Sequence, residues 1–98
     1  MENLTILSTN VSKSAKEVIN GNTVNYSWSY EEGKEPSAIN FNVIRGVEGD
    51  EEYNGNTVVF GQYYPDSGKF DVQNNDFKKD DLTLYDAIYD RCVELSIN

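Results

Sequence analysis

Between residues 24 and 31 large and polar side chains alternate without a break: Val24, Tyr26, Trp28 and Tyr30 against Asn25, Ser27, Ser29 and Glu31. A period of two is that of a β-strand, whose successive side chains point to opposite faces. The aromatic set therefore faces a core, with Trp28 expected inside it. Just upstream, Val18-Ile19 runs into Asn20-Gly21, a pair suited to the positive φ angles of a tight hairpin turn. Residues 16–19 are expected to pair with residues 23–30. Further upstream, residues 4–11 carry β-branched side chains in loose alternation and read as another strand, with polar residues 12–16 as a connection.

The pattern repeats downstream. Glu31 to Pro36 is a turn, and Ile39, Phe41 and Val43 then alternate with Asn40 and Asn42 as a strand ending near Gly46. Residues 47–53, acidic and Gly-containing, read as a loop. Residues 57–64 form a strand with Val58, Phe60 and Tyr64 on one face and Val59 and Tyr63 on the other. Pro65 and Gly68 then suit a type I turn with a G1 bulge. Residues 69–73 return as the second arm of that hairpin, with Phe70 and Val72 facing inward.

Near the C-terminus the period changes. Leu84, Tyr85, Ile88, Tyr89, Cys92 and Leu95 fall three and four residues apart, the spacing of an amphipathic helix, predicted over residues 84–96. Thr83 is the expected cap, with Asp86 three residues on and Leu82 positioned to staple Ala87. The predicted fold is α+β: one domain over residues 1–98, an antiparallel sheet of four or five strands packed on one C-terminal α-helix. That helix needs an apolar surface of matching size, and the aromatic face of the sheet is the one the pattern offers.

Asn20-Gly21-Asn22-Thr23-Val24 recurs as Asn54-Gly55-Asn56-Thr57-Val58. A duplicated turn–strand unit is one reading; the plainer one is an Asn-rich chain reusing a favourable turn. Either way the matched register puts Phe60 on the same face as Tyr26 and Trp28.

Charge changes the functional picture. Lys and Arg number 8 against 17 Asp and Glu, a net −9. Phosphate backbones and anionic membranes repel such a chain, so neither direct nucleic-acid binding nor membrane association is expected; a basic protein is the natural partner. Disorder is not expected, because about a quarter of the residues are Leu, Ile, Val or Phe, above the ~20% of disordered chains. With no His and a single Cys, imidazole bases, Cys-His nucleophiles, His-ligated zinc and internal disulfides are excluded. Cys92, on the apolar helix stripe, reads as a packing residue. The lone thiol and the absence of a signal-like start point to the cytoplasm. The longest apolar runs are two or three residues, too short to span a membrane. Three Asn-X-Ser/Thr sequons, at Asn3, Asn10 and Asn25, then read as chance matches.

Three groups of residues carry candidate chemistry. Asp50-x-Glu52-x-Asn54-Gly55 resembles the opening of a calcium loop, but position twelve is Gly61 where a bidentate Glu belongs. A solvated acidic loop is expected there, with no metal or cofactor. Asp86, Asp90 and Glu94 recur every four residues along one helix face, a partner-binding stripe or the wet side of an ordinary helix. Val59 and Tyr63 form a partner-binding patch if the helix covers only the opposite face; otherwise they join Ile44 in a second small apolar cluster.

The expected function is that of a small, non-enzymatic module binding another protein, as a monomer or weak homodimer. An acidic mimic of DNA, offering carboxylates to a basic groove, is the alternative. A small carboxylate-based hydrolase is a further one.

Overall fold

The structure, a computed structural model, describes residues 9–51 and 53–97. Five strands, β1 (Asn10–Ile19), β2 (Asn22–Glu31), β3 (Ile39–Arg45), β4 (Thr57–Tyr64) and β5 (Lys69–Asn74), precede one helix, α1 (Asp81–Leu95). The strands pair antiparallel in sequence order, β1-β2-β3-β4-β5. The α+β class and the C-terminal helix are as the pattern predicts. Among the described residues no helix is long and apolar enough to cross a membrane.

The β1–β2 turn follows from its sequence. Asn20 and Gly21 both have positive φ, 51° and 77°, as a two-residue hairpin turn demands. The hairpin is longer than the apolar pattern shows. Residues 12–16, expected as a connection, are mid-strand in β1, paired with residues 25–29 of β2. Exposed positions opposite a partner need no apolar alternation, because the ladder bonds alone hold them. Of the first predicted strand, residues 4–8 lie outside the described residues.

The core is one cluster between sheet and helix. Val24 and Tyr26 from β2, Ile39, Phe41 and Val43 from β3, and Val59 and Tyr63 from β4 meet Leu84, Ile88 and Cys92 of α1. Direct cross-strand partners share a face: Tyr26 pairs with Phe41, Val24 with Val43, Val43 with Val59 and Ile39 with Tyr63. Gly61 lies opposite Phe41, and its missing side chain leaves room for Phe41 to stack on Phe70, centroids 5.1 Å apart. Tyr89 closes the cluster edge-on against both Tyr63 and Phe70.

The alternation of β4 is as predicted, but its faces are exchanged. Val59 and Tyr63 are buried and Phe60 is 39% exposed. A β-bulge is the cause. Ile44 pairs with Thr57, but the next residue of β3, Val43, pairs with Val59, so Val58 is an extra residue in the ladder. One extra residue inverts every side chain beyond it. The matching stretch of β2 has no bulge there: Thr23 pairs with Ile44 and Val24 with Val43. The sequence echo therefore misleads, and Phe60 stands on the face opposite Tyr26.

Two ion-paired clusters fix the helix. At its start Asp81, with 2% of its side chain exposed, takes a two-pronged bond from Arg45 at 2.6 and 2.8 Å. Asn74 Nδ2 and the Lys78 backbone N–H each donate to it at 2.9 Å. These tertiary bonds start the helix a turn before the predicted cap: Asp80 is the N-cap, without a side-chain bond, and Thr83 and Leu82 are exposed helical residues. Near the other end Arg91 bonds Glu17 of β1 at 3.0 and 3.1 Å, and Tyr26 Oη donates to the same carboxylate at 2.6 Å.

Candidate functional site

The sheet face turned away from α1 has no covering element among the described residues. It displays the polar half of each alternation: Asn25, Ser27 and Ser29 on β2, Asn40 and Asn42 on β3, Gln62 and Tyr64 on β4. Their alternation with core residues fixes their direction, and the ladder brings them side by side. Asn25 Nδ2 donates to Asn42 Oδ1 at 3.2 Å, and Gln62 Nε2 donates to Asn40 Oδ1 at 2.6 Å. Tyr64 Oη in turn donates to Gln62 Oε1. Each carboxamide is thereby oriented while keeping hydrogen-bonding capacity free for a partner.

Phe60 rises within this amide lattice, directly between Asn42 of β3 and Gln73 of β5 in the pairing. The bulge at Val58 puts it there. A shallow cleft of about 570 Å³ runs beside it, past Asn40, Gln62, Asp71 and Gln73. The middle of the face on β2 and β3, from Asn25 to Ser29 and from Asn40 to Asn42, carries no charge; at its margins Glu31 of β2 pairs with Lys34 at 3.0 Å and Lys69 of β5 with Asp71 at 3.6 Å. In a chain of net charge −9 this face is locally neutral. An exposed aromatic ring surrounded by oriented hydrogen-bonding groups is the arrangement found at protein-binding surfaces.

The predicted partner residues are placed as follows. Asp86, Asp90 and Glu94 are exposed on α1, on the far side of the molecule from Phe60. Glu94 is held by Arg91 at 2.6 Å, which sets a cation inside the acidic stripe. Val59 and Tyr63 are core residues, 0% and 6% exposed, and cannot touch a partner; burial pushes the Tyr63 phenol upward. The exposed aromatic of that strand is Phe60. Trp28 is half-buried, packed against the rim of the core rather than enclosed by it. It lines a cleft of about 790 Å³ with Lys13, Tyr30, Leu95 and Ile97.

The perturbed carboxylates, Asp81 and Glu17, lie in the two helix anchors. The Arg45 fork, opposed by burial, holds the Asp81 carboxyl well below the usual carboxylate range. At Glu17 burial raises the pKa, but bonds from Arg91 and Tyr26 outweigh it and the net shift is downward. Burial and the adjacent Glu17 carboxylate push Tyr26 far up, and burial pushes the Cys92 thiol up to about 12. The Asp81 and Glu17 carboxylates are thus each paired with a guanidinium, an arrangement that pins the helix to the sheet. Among the described residues no three Asp, Glu or Cys side chains converge as a metal site would require; Glu52 of the acidic loop lies outside them.

Comparison with known protein families, with curated proteins and with solved structures finds no match to this chain.

Proposed function

We propose that this chain is a small non-enzymatic module that binds another protein through the outer face of its sheet. The observation that carries the reading is Phe60, exposed within a lattice of mutually bonded Asn and Gln side chains. Ring and lattice are held on regular strands, so little side-chain freedom is lost on docking. The net charge of −9 steers a basic partner from a distance, and the neutral face then makes the contact. The buried thiol of Cys92 suits a reducing, cytoplasmic setting.

The acidic-mimic alternative has one observation of its own. Asp86 and Asp90 stand exposed on one helix face, with no ion-pair partner among the described residues. A single experiment separates the two. Wild type, Phe60→Ser and the triple variant Asp86→Asn, Asp90→Asn, Glu94→Gln are immobilised and offered the same cell extract at low and high salt. The sheet-face reading expects a protein retained by wild type and by the triple variant but not by Phe60→Ser. Loss only in the triple variant, with steep release by salt, would establish the acidic mimic instead.

A further inference from the structure

Among the described residues β1 is a long edge strand with no neighbour on its outer side, and the order of its side chains from residue 11 to residue 19 suits pairing with a second copy of itself. The direction of its backbone groups follows from the hairpin. Ile19 and Asn22 close a two-residue turn and so exchange both ladder bonds. Bonded pairs then recur at every second residue: 17 with 24, 15 with 26, 13 with 28, 11 with 30. The Glu32 backbone N–H donating to Thr9 O at 2.7 Å continues the same phase. Ser12, Ser14, Lys16 and Val18 therefore turn their N–H and C=O outward, and β1 has no strand beyond it among the described residues.

Such an edge invites pairing, and charges on it commonly prevent that. Here the charges are arranged to permit one pairing. We propose that two copies of this chain join edge to edge through β1, antiparallel about a two-fold axis at Ala15, forming a continuous ten-stranded sheet. In this register Ser14 bonds Lys16 of the second copy and Ser12 bonds Val18, all four turned outward. On the helix side Lys13 lies directly opposite Glu17 of the second copy, Val11 opposite Ile19, and Ala15 opposite its own copy. The interface is isologous, so each of these contacts occurs twice except the one on the axis.

Neighbouring registers with the same bonding phase are worse. Sliding by one step in one direction sets Lys16 against its own copy. Sliding the other way sets Val11 against Glu17. Opposite charges facing across a strand pair stabilise it and like charges destabilise it, so the pattern selects the Ala15-centred register. Glu17 already accepts from Arg91 and Tyr26 on this side, and its two oxygens leave room for one ammonium more. The pairing goes beyond the proposed function: it sets two Phe60 faces on the same side of one sheet, a bivalent surface.

The test is sedimentation equilibrium of the full chain over a dilution series, with disulfide mapping. The mass should rise from that of one 11.1 kDa chain toward twice that value with concentration. Ala15→Cys should form a disulfide dimer under mild oxidation, because facing residues of a non-bonded antiparallel pair stand about 4.5 Å apart at Cα. Ser12→Cys, opposite Val18 and far from its own copy, should not. Ser14→Pro removes an outward N–H without touching the bonds to β2, so a folded variant by far-UV circular dichroism should be monomeric. Should that variant not fold, Lys13→Glu takes its place, setting Glu against Glu17, and should likewise be monomeric. A single-chain mass at every concentration overturns the proposal. So does equal cross-linking at positions 12 and 15, or a folded Ser14→Pro or Lys13→Glu that still dimerises.

Discussion

Replacing Asp81 by Ala should be among the most damaging single changes to this molecule. The carboxylate takes four hydrogen bonds, two from Arg45 and one each from Asn74 and the Lys78 backbone. Without it the Arg45 guanidinium, only 12% exposed, has among the described residues just the Asp76 carbonyl left as an acceptor, and its Nε is already buried without one. Removing one partner of a buried ion pair costs about 3–5 kcal/mol, since the other charge remains desolvated. Against a total stability of about 5–15 kcal/mol that is a large share. Urea unfolding of wild type and variant at neutral pH measures it directly, as a lower midpoint at unchanged slope. The same anchor makes stability depend on acid. The Asp81 and Glu17 carboxyls are both held below their ordinary values. Their contribution is fully present above the unfolded values of about 4 and is lost as pH falls through the lower folded values. Wild type should therefore lose stability below about pH 4, and Asp81→Ala should lose less over the same interval. A loss under about 1 kcal/mol for Asp81→Ala, or an acid profile unchanged by it, would refute the anchoring role.

The other predictions rest on single contacts. Gly61→Ala should destabilise by about 1–3 kcal/mol or more, because a Cβ there would lie 1.9 Å from the Asp71 carbonyl oxygen and 2.9 Å from Phe41 Cζ; its urea midpoint, against that of an outer-face change such as Gln62→Ala, is the check. Trp28→Ala should cost about 2 kcal/mol, below the 3–5 of a fully buried ring, and the wild-type fluorescence should be partly quenched by iodide, whereas complete protection would place the ring inside the core. Cys92, 0% exposed and with its thiol pushed up to about 12, should react with a thiol reagent at neutral pH only as fast as the protein opens, so rapid labelling of the native state would contradict its burial.

Most of the fold is legible in side-chain periodicity. The alternation of Val24, Tyr26, Trp28 and Tyr30, the turn at Asn20-Gly21 and the three- and four-residue spacing of Leu84, Ile88 and Cys92 all act locally, where sequence and structure share a period. Features set across the sheet are not legible in that way. The bulge at Val58 depends on how β4 meets Ile44 and Val43, and it alone decides that Val59 and Tyr63 are core while Phe60 is exposed. The helix start at Asp81 depends on Arg45, far away in the chain, and a local cap at Thr83 could not reveal it. The outer-face lattice was half visible: Asn25, Asn40 and Asn42 occupy the polar half of clean alternations, but in one dimension they look like any solvated side chains. Only cross-strand register turns them into bonded neighbours around one ring.

The central claim is that the outer sheet face receives the partner, and the side-chain amide signals of that face report on it without ambiguity. In an NMR titration of the ¹⁵N-labelled chain with the protein captured by wild type, the NH₂ signals of Asn25, Asn40, Asn42 and Gln62 should shift or broaden together with the Phe60 ring. The backbone signals of Asp86 and Asp90 should stay in place. Perturbations confined to the helix, with the four carboxamide signals unmoved at saturation, would contradict the account.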